Sequence, residues 1–335
     1  NTIQPFISEL FSNALREVVS NRLRETFLSG NIPVKSLDVE YAGSAASAGD
    51  ERFRVSVLTS RNQLMPASLA VASILSEICS KGIGIEEYKV ARNSVLNGCL
   101  KASTNDAIVR QCASAYLYGS DLASPAAKAR FFLSRNMSAK AETDLFNAYA
   151  SALLSGMETP SVTWAGNADD YDEWFWPVVF ESAGRGVSAL EKPVYHWKAG
   201  TKDTLAFWSE KNKVKIKSVA AEPVSGGEMW TFSNGMKVIY KKMPAAGRFS
   251  YSFMIKGGFS TVRNLPRGEG AFFSDMFGLC NIAGMPGSDF DKVLRANGVE
   301  MSCAVSISDL RLYGSAPSNR FMLTLKALLS AANRR

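Results

Sequence analysis

Apolar residues at Ile7, Leu10, Phe11, Ala14 and Val18 recur every three or four positions and predict an amphipathic helix over 3–28, ended by Gly30 and Pro33. "DERFRVSVLTS" (50–60) alternates instead, with Phe53, Val55 and Val57 on one face, and reads as a half-buried strand. A helix follows Pro66 and stops at Gly82, and a second begins in "GIEEYKVARNSVLNGCLKAS", where Glu86 and Glu87 sit in a first turn whose dipole favours acids. Helical spacing returns over 105–118, 125–135 and 138–155, and "SVTWAG" (161–166) reads as a strand. Periodicity then fades, and 167–224 mixes aromatics, Gly, Pro and charge. From Met229 strands take over: "MWTFSNGMKVIYKKM" with an Asn234-Gly235 turn, then "RFSYSFMIKGG". A short helix is predicted in "GEGAFFSDMFGL" (268–279), another in "DFDKVLRANG", an alternating pair in "EMSCAVSISDLRLYGSA", and a last helix from about Asn319.

This order predicts an α+β protein: two consecutive sandwich domains, each a mostly antiparallel sheet with helices on one face. The aromatic stretch is the connector, from near Ala183 to "EPVSGGE", and its aromatics predict that it packs against the domains it joins. The chain also echoes itself. "FRVSVLTSRNQLMPASLAVASILS" (53–76) and "LRLYGSAPSNRFMLTLKALLS" (310–330) share a strand, a Ser/Arg/Asn turn and an apolar helix; setting Arg54 on Arg311 sets Asn62 on Asn319 and Met65 on Met322.

Composition narrows the field only a little. With 46% hydrophobic and 21% charged residues in 335, the chain reads as globular and of about two-domain length. No transmembrane helix is expected from the apolar runs, and "NTIQPFISELF" does not read as a signal peptide. The absence of an initiator Met and a last residue inside a helical pattern lead us to expect a portion of a longer polypeptide. The charge of +7 is modest, and its densest run, "KNKVKIKS" (211–218), alternates lysine with Val214 and Ile216 like a strand with one solvated face; no nucleic-acid partner is expected. Cys79, Cys99, Cys112, Cys280 and Cys303 lack the paired spacing of a thiolate zinc site or a disulfide framework, and read as buried free thiols.

The second half carries a recognisable series: "FSNGMKVIY" (232–240), a strand ending in glycine at "FMIKGGFS" (253–260), and "FDKVLRANGVEMSCAVSISDLRLYG" (290–314). It resembles the amino-terminal domain of a pitrilysin/insulinase-type metallopeptidase repeat. The first half, with its "RLRE" helix, extended strand, long helix and "KGIGIEEYKVAR", is similar to the companion carboxy-terminal domain. The resemblance implies the mitochondrial-processing-peptidase-like metallohydrolase fold. It divides the chain into 1–182, a carboxy-type domain of a first repeat; 183–228, a linker or hinge; and 229–335, an amino-type domain of a second repeat, truncated at its C-terminal end.

The family's inverted motif places two His one helical turn apart on zinc, with a Glu between them to deprotonate the bound water. Those positions fall on Ala271, Ser274 and Asp275, with Phe272 and Phe273 matching the apolar pair. Ala offers no ligand, Ser is no base of the required kind, and one carboxylate does not hold zinc. The resemblance therefore implies no catalytic, cofactor-binding or metal residue in this chain, and zinc in a missing N-terminal catalytic domain. The single histidine, His196, lies among aromatics with no nucleophile elbow in the chain, and reads as a packing or surface residue. Asp169, Asp170, Asp172 and Glu173 do not match a calcium loop and read as a solvated acidic turn. Trp174, Trp176, Trp197 and Trp208 read as buried interface aromatics.

Two functions follow. The first is a non-catalytic segment of a large zinc metalloendopeptidase, forming chamber wall and hinge. Its partners are then peptide substrates and the catalytic domain in cis, and its expected location is bacterial periplasm or cell envelope ahead of cytoplasm. The alternative is a scaffold or partner subunit of the same fold, in a parent with no peptidase activity. A hydrolase built on His196 is a third reading, which loss of activity on replacing His196 would support.

Overall fold

A computed structural model describes residues 4–42, 52–99, 103–155, 161–163, 165, 175–189, 195, 197, 214–243, 247–266, 268–282 and 284–332. The chain divides into two compact units, Asn1–Ala199 and Gly200–Arg335.

The first unit is built on α1 (Gln4–Ser29), whose Leu10, Phe11, Leu15, Val18 and Leu23 are buried, as the spacing predicts. Strands β1 (Val34–Ala42) and β2 (Arg52–Thr59) pair antiparallel, setting Leu37 opposite Val57 and Val39 opposite Val55. Helices α2 (Leu64–Lys81), α3 (Ile85–Cys99), α4 (Asn105–Tyr118), α5 (Pro125–Ser134) and α6 (Ala139–Leu154) follow. Three of them start at hydroxyl caps: Thr104, Ser124 and Ser138 each accept the amide three residues on, at 3.2 Å. Phe11 is the hub of the core, edge-on to Tyr88 at 6.3 Å and to Phe146 at 5.7 Å. Asn147 joins α6 to the end of α2 by accepting from Ile83 N at 2.9 Å and donating to Ile83 O at 3.1 Å.

In the second unit, β3 (Ile216–Glu222), β4 (Gly227–Phe232) and β5 (Lys237–Tyr240) form one antiparallel sheet in that order. A second antiparallel sheet runs β6 (Arg248–Lys256), β8 (Asp309–Pro317), β7 (Glu300–Val305). Phe249, Tyr251 and Phe253 of β6 pack into the core, while the intervening Ser250, Ser252 and Met254 alternate away. That core draws Phe290 and Leu294 from α9 (Gly287–Ala296) and Ala327 and Leu328 from α10 (Phe321–Ala332). The sheet closes tightly: a Cβ at Gly314 would lie 1.9 Å from Glu300 O, so only glycine lets β8 pass β7 there. Both units are α+β with antiparallel pairing.

Several expectations need correcting. The connector is shorter than 183–228: residues 183–189 belong to α7 (Phe175–Ala189), whose Val179 and Ala183 pack on Ala72 of α2, and 216–222 are β3. Pro177, Gly184 and Gly186 interrupt the apolar spacing that would have exposed α7. Ser161–Thr163 and Ala165 are not strand. β1 went unread although Leu37, Val39 and Tyr41 alternate with polar neighbours. β3 is exposed along both faces instead of half-buried. Residues Arg61–Lys81 are long and apolar enough to cross a membrane by composition, yet Ala67, Ile74 and Ile78 of that stretch are core residues.

The internal echo is visible in three dimensions. The alignment that sets Arg54 on Arg311 also sets Arg61 on Ser318 and Leu64 on Phe321. These are the first residues of a 3₁₀ turn and of the helix after it in each unit. Each copy follows a helix and an antiparallel strand partner, α1 and β1 in one and α9 and β7 in the other.

Candidate functional site

The approach to the 271–275 turn is set by two glycines at the end of β6. Gly257 has φ 137° and Gly258 φ 53°, and a Cβ on Gly258 would fall 2.3 Å from Ser306 O. That close passage lets Gly257 N, Phe259 N and Ser260 N donate to the carbonyls of Ser308, Ser306 and Ile307 at 2.7–3.0 Å. The loop is thus clipped to the β7–β8 turn. Beyond it, the expected helix is broken. Glu269–Phe272 is 3₁₀, α8 (Phe273–Met276) is one turn, and Phe277–Leu279 is 3₁₀ again. A metal motif needs its ligands stacked on one face of a continuous helix; here Ala271 lies in the first 3₁₀ turn, and Ser274 and Asp275 lie in the α turn.

Ser274 has a packing role. Its Oγ accepts a hydrogen bond from Val305 N at 2.9 Å, securing the last amide of β7. Phe277 is buried with Ile282 and Phe290, anchoring the turn, while Phe272, Met276 and Leu279 are exposed. An open cavity of about 750 Å³ flanks the turn, lined by Phe259, Val262, Leu265 and Pro266 with Asn264 and two glycines. Its described lining is mostly apolar, with Asn264 as the polar side chain among those residues. Among the described residues, no three His, Cys, Asp or Glu side chains are grouped so as to hold a metal ion. Ala271 has no electron pair to offer a metal, and the Ser274 hydroxyl accepts from Val305 N.

His196, Asp169, Asp170, Asp172, Glu173, Trp174 and Trp208 lie outside the described residues. Trp176 packs edge-on to Phe175 at 4.8 Å, and Trp197 packs against the first core. The five thiols are free; Cys112 is exposed and the other four are half-buried, so none has the full burial expected.

The most perturbed groups lie elsewhere, in the first unit. Arg22 is 4% exposed and clamps Glu87 with Nε and Nη2, both at 2.8 Å, while Nη1 reaches Glu77 at 3.2 Å. Burial works against its charge, but the hydrogen bonds and charge of Glu87, with Glu77 beside it, hold its pKa above the ordinary value. Tyr195 completes the cluster: its N donates to Glu77 Oε2 at 3.1 Å, its hydroxyl donates to Glu25 Oε2 at 2.6 Å, and Arg22 lies over its ring at 4.8 Å. Nearby, Tyr88 donates to Glu142 at 2.7 Å, and Arg92 reaches the same carboxylate at 3.0 Å. Burial, then the facing carboxylates, raises the pKa of both tyrosines. The clue to this network was an arginine at position 22, four residues after Val18, within an apolar stripe. Glu87, read as a dipole partner, is its counter-ion.

No protein-family model matches the chain, and no curated protein matches it. Among solved structures, it aligns over 99% of its length with the periplasmic protease PqqL from Escherichia coli, at 15% identity and a TM-score of 0.40, covering 37% of that chain. It aligns over 97% of its length with a variant of the ferredoxin protease FusC solved in complex with Arabidopsis ferredoxin, at 12% identity and a TM-score of 0.41, covering 36% of that chain. The chain therefore spans little more than a third of either protein. Likeness of this size assigns it to no family.

Proposed function

We infer that this chain is a non-catalytic segment of a larger zinc metalloendopeptidase of the pitrilysin/insulinase type, contributing chamber wall and hinge to a peptidase whose catalytic domain lies elsewhere in the polypeptide. The observation that carries this reading is Ser274. At the place of the catalytic glutamate, its hydroxyl serves as an acceptor for Val305 N, in a turn where Ala271 stands for the first histidine. The series around it supports the same reading: a hairpin at Asn234-Gly235, a strand ending in paired glycines, then α9 and the β7–β8 pair. The packing of a family site is kept while its electron-pair donors are gone. On this reading the segment between α7 and β3 is the hinge, and closure of the halves around a peptide is a gating step.

The test uses the full-length polypeptide. It should cleave unstructured peptides, lose that activity with a chelator, and keep it in Ser274→Ala. The 335-residue chain alone should hold no stoichiometric zinc by elemental analysis and cleave nothing. About one tightly bound zinc per isolated chain would overturn the reading. Full-length protein that folds yet cleaves no peptide would favour the scaffold subunit.

A further inference from the structure

The β3–β5 sheet lacks what a sheet needs to stand alone. Not one described residue from Val214 to Met243 is buried, and none belongs to the core of the second unit. Both faces carry apolar groups. Val219, Trp230 and Val238 lie in register on one face, and Ala220, Met229 and Ile239 on the other. Ile216, Val219 and Ile239 are each more than half exposed. Three short strands need a packed face for independent stability, and among the described residues β3 pairs on one side only, along β4, so its seven-residue outer edge has no described partner.

Charge identifies what completes it. The sheet and its flanks carry Lys215, Lys217, Lys237, Lys241 and Lys242 against only Glu222 and Glu228. Both acids are used locally: Glu222 accepts from Val224 N and Ser225 N, and Glu228 accepts from Trp230 Nε1. Lys241 bonds Ser225 O, whereas Lys215, Lys217, Lys237 and Lys242 have no acidic partner among the described residues. We propose that the β3 edge is a docking site for an extended acidic polypeptide strand, which adds to the sheet by backbone hydrogen bonds while its carboxylates meet Lys215 and Lys217. A strand added at this edge pairs the outward N–H and C=O groups of β3 and extends the sheet to four strands. A partner lying on one face would leave the other bare. A second copy of this chain would bring the same lysine excess to the edge, so charge disfavours it.

This inference rests on the sheet and holds whether or not the parent cleaves peptides. The probe is a short fluorescent peptide alternating glutamate with valine, measured by anisotropy on the full-length protein. Saturable binding that weakens with salt is expected. The same peptide N-methylated at alternate amides keeps its charge but cannot extend a ladder, and should not bind. Lys215→Glu with Lys217→Glu should weaken binding by about tenfold or more. Lys35→Glu with Lys140→Glu, an equal charge change in the first unit, should not; circular dichroism checks that both variants fold. Equal binding of the N-methylated peptide, equal loss in the two double variants, or no binding would each overturn the proposal. Dimers that the peptide does not dissociate would put a second copy on this edge and overturn it too. Failure to bind in a protein that still cleaves other peptides would refute this site and leave the proposed function standing.

Discussion

In the first unit three charged side chains, Arg22, Glu77 and Glu87, are nearly as buried as its leucines. In the second, a whole sheet leaves Ile216, Val219 and Ile239 more than half exposed. The contrast is between a region that buries its charges against partners of its own, with only Glu77 Oε1 and Arg92 Nε left without a hydrogen bond among its described buried side chains, and one whose apolar groups stay uncovered. A buried charge persists when its partners are already assembled, as the two-pronged contact of Arg22 with Glu87 shows. An apolar sheet open on both faces persists when something outside it supplies the missing contacts. Damage inside the first unit should therefore be felt as instability, and damage to the β3–β5 sheet as lost association.

The contrast can be broken most directly at Arg22. Arg22→Ala strands Glu77 and Glu87 in the core and should cost about 3–5 kcal/mol, read as a fall in the urea midpoint of the first unit; an unchanged midpoint would mean the network contributes nothing. Tyr88→Phe should cost about 1.5–3 kcal/mol at neutral pH through the lost bond to Glu142. It also tests a pH dependence. The pKa of Tyr88 and Tyr195 is raised on folding, so their contribution is fully present below the unfolded tyrosine value near 10 and is lost as pH climbs through the folded values. Thermal melts should show the first unit weakening above that pH, with a shallower slope in the Tyr88→Phe protein. In the second unit Tyr251 is raised by burial and then by Glu300, so one such group acts there and the fall should be gentler. The smallest effect is expected at Ser274→Ala, about 0.5–1.5 kcal/mol for the bond to Val305 N, with faster exchange at that amide and full-length peptide cleavage unchanged.

Local chemistry was legible where it acts within a few residues. Helical spacing placed α4, α5 and α6, whose hydroxyl caps Thr104, Ser124 and Ser138 emerged with the structure, and the apolar stripe placed α1. The interrupted stripe of α7 hid a helix that exists because Ala72 offers it a surface. At the turn over 271–275 the residue types were legible at once, since none of Ala271, Ser274 and Asp275 is a histidine or a glutamate. Its break into 3₁₀ segments was not, because that depends on glycines at 268 and 270 and on a loop clipped to distant carbonyls. The bond from Val305 N to Ser274 spans 31 residues, and the Glu77–Tyr195 contact spans 118; no period in the chain encodes either. The unsatisfied β3–β5 sheet was misread for a related reason: alternation reports that a strand has two sides, not that either is covered.

Tyr195 stands close to where the chain leaves the first unit. Its main-chain amide is moored to Glu77 of α2 and its phenol to Glu25 of α1, beneath the Arg22 guanidinium. A pull on the chain at Tyr195 is therefore borne by two hydrogen bonds to carboxylates of α1 and α2.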